Sequence, residues 1–187
     1  MIGPAEAAAF ERCITGGGLA VFPTDTLYGI GCAPGDEAAR ERLYELKGRP
    51  RDKPSALMCF SMNTAADLLA AVGRRTRGAA KRLLPGPILL VLPGGVGLRV
   101  PQYEPLEGVE VVVLQTSANL TGGPDPRRLD DVPGELRAGA DLVLDGGELS
   151  GVASTVVDLT RYEDTGEWEI LRDGAVPAAK LSNALRS

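Results

Sequence analysis

The segment 47–53 reads KGRPRDK and carries four cations against one carboxylate, Asp52. Gly48 suits the left-handed conformation that stops a helix, and Arg49, which precedes Pro50, is pushed toward extended geometry. Lys47 and Arg49 then leave the backbone in different directions and converge on one polyphosphate. Elsewhere, polar side chains stand at the ends of apolar runs: Thr26 after 19–22, Arg99 within 98–100, Ser117 and Asn119 after 109–114, Ser154 before 155–159, and Arg172 after 168–171. Strand ends are the usual ligand side of open α/β sheets. Together the clusters read as the rim of one anion-binding pocket. Taken singly, each has a plainer reading, as a helix end favoured by the dipole or as turn chemistry.

Several chemistries are excluded. The chain has no histidine, which removes Ser-His-Asp and Cys-His catalysis and argues against a transition-metal site. Cys13, Cys32 and Cys59 are odd in number and widely spaced, so neither a disulfide framework nor a CxxC zinc site is expected, and they read as reduced, buried thiols. There is no GxxxxGK[ST] loop. In 29–34, GIGCAP, Pro34 stands where a dinucleotide fingerprint needs its third glycine. A nucleotide bound here is held without the two common phosphate loops.

The elements that must position these groups follow from periodicity and punctuation. Helices are expected over 5–15, 36–47, 64–72 (with Ser61 or Asn63 as N-cap), 76–84, 131–138 and 178–185. Strands are expected over 19–22, 56–60, 88–92, 98–100, 109–114, 142–144, 155–159 and 168–171. A polar turn spans 23–26, and a glycine-punctuated bend runs through Gly29 and Gly31. Helices and strands in irregular order, with several adjacent strands, indicate an α/β or α+β fold with a twisted mixed sheet, not a doubly wound one. The basic run Arg74, Arg75, Arg77, Lys81 and Arg82 lacks interleaved aromatics and reads as a solvated helix face, not an RNA platform.

With 187 residues, 44% hydrophobic and 24% charged, the chain is expected to form one soluble domain over 1–187. No apolar run approaches the roughly 20 residues that span a bilayer, and residues 1–11 do not read as a signal peptide. A cytoplasmic location, with no membrane partner, is the expectation. Net charge is −5, but residues 1–101 hold 13 basic and 9 acidic side chains and 102–187 hold 7 and 16.

The motifs PTDTLYGIG (23–31), KGRPRDKP (47–54), LPGP (84–87), RVP (99–101), TSAN (116–119), STVVD (154–158) and LRDG (171–174) occur in this order. With them the sequence resembles the YrdC/TsaC family of threonylcarbamoyl-AMP synthases over 17–176. The resemblance implies a twisted α/β sheet with a concave, positively charged cavity. It also implies a nucleotidyltransferase that turns L-threonine, bicarbonate and ATP into threonylcarbamoyl-AMP and pyrophosphate. That product feeds N6-threonylcarbamoyladenosine formation in tRNA through a separate TsaD-containing transferase complex. Carried over residue by residue, Lys47 and Arg49 look catalytic; Thr26, Arg99 and Ser154 resemble the L-threonine contacts; Arg49, Lys53, Ser117, Asn119 and Arg172 resemble the ATP contacts. Mg2+ is expected to arrive with ATP, without a metal site of the protein's own. The chain departs from the family pattern at Ser55, Met58, Leu89 and Asp125. The alternatives are an RNA-binding or ribosome-associated module using the same cavity, and a relative that passes carbamoyl-adenylate to another acceptor.

Overall fold

A computed structural model describes residues 2–53 and 55–186. Pro54, the last residue of the KGRPRDKP motif, lies outside the described residues.

Helix α1, Pro4–Thr15, leads into β1, Ala20–Phe22, and β2, Gly29–Cys32. Helix α2, Glu37–Lys47, begins at Asp36, whose Oδ1 accepts the Ala39 N–H at 2.9 Å, a cap worth about 1 kcal/mol. It stops at Gly48, left-handed at φ 57°, as the sequence predicts. Next come β3, Ala56–Met58; α3, Ala66–Ala70; α4, Arg74–Leu83; β4, Ile88–Leu92; and β5, Val96–Arg99. A 3-10 turn at Glu104–Leu106 precedes β6, Val113–Ser117. The rest is α5, Gly134–Gly139; β7, Leu142–Val143; β8, Thr155–Asp158; α6, Tyr162–Thr165; β9, Glu169–Arg172; and α7, Ala178–Leu185.

The nine strands form one sheet in the order β7-β1-β2-β6-β3-β5-β4-β8-β9. The pairs β1/β7, β3/β5 and β4/β8 are parallel and the other five antiparallel, so the sheet is mixed, as expected. Its apolar side chains join three core clusters. One of them is built on Phe10, Phe22 and Phe60, whose rings meet edge to face at 5.0 to 5.9 Å, the arrangement their quadrupoles favour.

Four expectations need correction. The bend through Gly29 and Gly31 is strand β2, paired on both sides with β1 and β6. A Cβ on Gly31 would lie 2.5 Å from Val113 Cγ1 and 2.6 Å from the Leu114 carbonyl oxygen, so glycine here permits close strand approach, not a turn. The strand expected over 109–114 starts at Val113 and runs to Ser117, because β2 and β3 pair with that register. The helix expected over 64–72 is only Ala66–Ala70: Ser61 Oγ accepts the Thr64 N–H at 3.0 Å in the turn before it, so neither proposed N-cap residue is the cap. Helix α6 was not expected.

The basic run on α4 is a solvated face, as expected: Arg74, Arg75, Lys81 and Arg82 are exposed and Arg77 is half-buried. Arg77 donates to the carbonyls of Leu69, Ala70 and Val72 at the end of α3, and Arg82 to the Ala184 carbonyl at the end of α7. Arg75 lies 5.2 Å from the Tyr162 ring centroid. Glu163 of α6 accepts the Thr76 N–H at 2.9 Å, which together with the Arg75 N–H and guanidinium holds its carboxyl below the usual range.

Candidate functional site

The cations at 47–53 sit where α2 ends because Gly48 turns the chain there, with the Arg49 N–H returning to the Tyr44 carbonyl at 2.8 Å. The Arg49 guanidinium carbon lies 5.9 Å from the Tyr44 ring centroid. Arg99 closes β5, Ser117 closes β6 and Arg172 closes β9, while Ser154 immediately precedes β8. Strand order therefore gathers groups that are far apart in sequence. They line a cavity of about 270 Å³ that includes Thr26, Arg49, Lys53, Arg99, Ser117, Ser154 and Arg172. Seven of the nine predicted site residues share this one cavity.

At one end the turn 23–26 is stitched to β5. Arg99 Nη2 donates to Thr24 Oγ1 at 3.2 Å, to Thr26 Oγ1 at 2.6 Å and to the carboxylate of Asp25. The other Asp25 oxygen accepts the Gln102 N–H at 3.0 Å. Thr24 Oγ1 donates to the Leu27 carbonyl at 2.7 Å, which locks the turn. Arg172 donates twice to the Ser154 carbonyl, at 3.2 and 2.8 Å. Burial pulls the Arg99 pKa down, Asp25 pulls it up, and the like charge of Arg172 pulls it down again. Among the buried polar atoms of the lining, Arg99 Nε and Ser154 Oγ have no hydrogen-bond partner within the described residues. Unsatisfied buried groups are uncommon in native folds and mark a place where a ligand supplies the missing bonds.

Lys47 and Asn119, predicted to touch substrate, lie outside the lining. The Lys47 side chain is buried, and its ammonium donates to the carbonyls of Ser117 and Asn119, with Asn119 Oδ1 at 3.5 Å. The Lys47 carbonyl accepts the Thr121 N–H at 3.3 Å. Burial, then the like charges of Arg49 and Lys53, push the Lys47 pKa down to about 8. Asn119 Oδ1 accepts the Ser117 hydroxyl at 2.7 Å, and its Nδ2 donates to the Gly123 carbonyl at 2.8 Å. Both residues thus build the floor under Ser117 instead of presenting groups to the cavity. Amphipathic pattern and motif position gave no sign of this, because it depends on β6 ending beside the end of α2.

The lining also holds groups not singled out as contacts: Thr24, Gln115, Thr116, Ser55, Leu89 and Asp125. Thr24 and Asp25 stand in the same polar turn as Thr26, which was the available signal. Ser55 shares a hydrogen bond with the Tyr44 hydroxyl at 3.0 Å. Leu89 and Asp125 give the cavity an apolar and an acidic patch, whereas Met58 lies in the core. Among the described residues no group of three Cys, Asp or Glu side chains is arranged to hold a metal ion, and no helix is long and apolar enough to cross a membrane.

A family model described as "Telomere recombination", covering the Sua5, YciO and YrdC proteins, matches residues 12–174. A threonylcarbamoyl-AMP synthase of Pyrococcus abyssi is 34% identical over 187 residues, covering 90% of this chain and 54% of that protein. The human threonylcarbamoyl-AMP synthase is 32% identical, covering 84% of this chain and 63% of that protein. The crystal structure of P. abyssi Sua5 complexed with L-threonine superposes with a TM-score of 0.84 at 32% identity, over 96% of this chain and 57% of that one. The chain thus spans between 54% and 63% of the length of these relatives. On the match over 12–174, the shared fold and these identities, the chain belongs to the Sua5/YciO/YrdC family.

Proposed function

We propose that this chain is a threonylcarbamoyl-AMP synthase, a nucleotidyltransferase acting on L-threonine, bicarbonate and ATP to supply N6-threonylcarbamoyladenosine formation in tRNA. The observation that carries the reading is the convergence of Thr26, Arg49, Lys53, Arg99, Ser117, Ser154 and Arg172 on one cavity in a chain of this family. In this reading the Arg99, Thr26 and Ser154 end takes threonine and the Arg49, Lys53 and Ser117 side takes ATP, with Arg172, tied to the Ser154 carbonyl, at the boundary where the two meet. Threonine's amine loses a proton and forms a bond to the carbon of bicarbonate, with loss of water. An oxygen of the resulting carbamate then attacks the α-phosphorus of ATP, and the bond to the β-phosphate breaks to release pyrophosphate.

This chemistry asks a protein mainly for positioning and charge stabilisation, which suits a site without histidine. Arginine clamps carboxylate or phosphate bidentately, and lysine serves as a point charge. Lys47 acts from beneath, by fixing the Ser117–Asn119 backbone and placing its charge under the phosphates. Mg2+ enters with ATP, held by phosphate oxygens and water; among the described lining residues Asp125 is the carboxylate nearest in kind to a protein ligand for it. The place of action is the cytoplasm, with a TsaD-containing complex and tRNA downstream.

The test is pyrophosphate release from ATP in the presence of bicarbonate and L-threonine. Threonine-dependent release is expected, and Arg49→Ala should lower it by at least about 10²-fold, the size of a lost transition-state phosphate contact. RNA retention without turnover would favour the RNA-binding alternative.

A further inference from the structure

Asp25 stands beside the cavity but outside its lining. Its side chain is 9% exposed, and the Arg99 side chain paired with it 8%. Arg99 Nη2 is fully committed to Thr24, Asp25 and Thr26, and the second Asp25 oxygen is tied to the Gln102 backbone. Arg172 stands close enough for its charge to work against that of Arg99, and the Ser154 carbonyl holds it there. Without Asp25 this end of the cavity would present two guanidinium charges; with it, the net charge is one. The substrate carboxylate assigned to this end brings one negative charge, whereas phosphate groups bring about two near neutral pH.

We propose that Asp25 is a positioning residue that makes the amino-acid end selective for a monocarboxylate, by fixing Arg99 and cancelling one of the two guanidinium charges so that phosphate is kept out. The proposal rests on the assignment of the Thr26–Arg99 end to threonine. It explains how one cavity lined by Arg49, Lys53, Arg99 and Arg172 keeps a triphosphate from settling on both halves. Asp125 is the acid of the described lining.

The experiment measures binding of inorganic phosphate and of L-threonine by calorimetry to the wild-type chain and to Asp25→Asn. In wild type the two ligands should bind without competing. In Asp25→Asn phosphate should bind at least about tenfold tighter, since a partly buried unit charge has been uncovered, and should now compete with threonine. The same variant should show ATP raising the KM for threonine as a competitor, a signature that loosened packing alone would not produce. Unchanged phosphate affinity in Asp25→Asn overturns the proposal. If Asp25→Asn fails to fold, the wild-type arm decides: threonine displacing phosphate one for one would overturn it, and independent binding would support it. Wild-type protein that binds no threonine would instead refute the assignment of that end, leaving the phosphate comparison to report on the charge alone.

Discussion

The ammonium of Lys47 is surrounded by oxygen, from the carbonyls of Ser117 and Asn119 and the Asn119 side chain. Its charge is costly in that place, and burial with Arg49 and Lys53 nearby brings its pKa from the ordinary lysine range to about 8. In the unfolded chain the group keeps its proton to about 10.4. Between these values the unfolded state binds more protons, so the Lys47 contribution makes stability rise with pH. ATP affinity should move the other way, weakening through pH 8 as a positive charge under the phosphates is lost. The thiols have the opposite effect on stability: burial raises the pKa of Cys13, Cys32 and Cys59, while unfolded cysteine ionises near 8.5. Comparing wild type with Lys47→Met in urea unfolding and ATP titration from pH 7 to 9.5 removes that background. The stability of wild type relative to the variant should rise with pH, and only wild type should lose ATP affinity through pH 8; identical profiles would show that Lys47 does not titrate in this window.

At the scale of elements, β2 carries the lesson of close approach. Its glycines lie between β1 and β6, and a methyl group on Gly31 would collide with the Leu114 carbonyl and with Val113. Backbone cannot step aside as a flexible side chain can, so Gly31→Ala should destabilise the fold by about 1–3 kcal/mol in urea denaturation, and Gly35→Ala, where nothing lies within 4 Å, should not. The same strand shows what a sequence leaves unread. Helix α2 was legible at both ends, because Asp36 and Gly48 act locally. β2 was not, because glycine means a bend or a tight ladder depending on neighbours that lie 80 residues away. The register of β6 was likewise set by β2 and β3, which moved Gln115, Thr116 and Ser117 from a loop into the strand. The site was legible wherever a polar group ends a strand, as at Arg99, Ser154 and Arg172. It was not legible where a residue's partner is a distant backbone carbonyl, as at Lys47.

The molecule as a whole is acidic, with a net charge of −5, yet four cationic side chains line one cavity with a single carboxylate among them. Elsewhere opposite charges meet: Arg127 and Arg128 on Glu148, Arg42 on Asp141, Arg51 on Glu41. Those exposed pairs contribute little to stability, but they leave the local surplus of positive charge at the cavity. A polyanion such as ATP should feel that surplus, while threonine, a zwitterion entering beside the Arg99–Asp25 pair, should feel far less of it. From 0.1 to 1 M salt the screening length falls from about 10 to about 3 Å. Over that range the Kd for ATP should rise by about tenfold, and the Kd for threonine should stay nearly flat, both measured by calorimetry on the same protein. Equal salt slopes for the two ligands would mean that charge does not divide the cavity into two halves, and a flat response for ATP would mean that Arg49, Lys53 and Arg172 do not hold its phosphates.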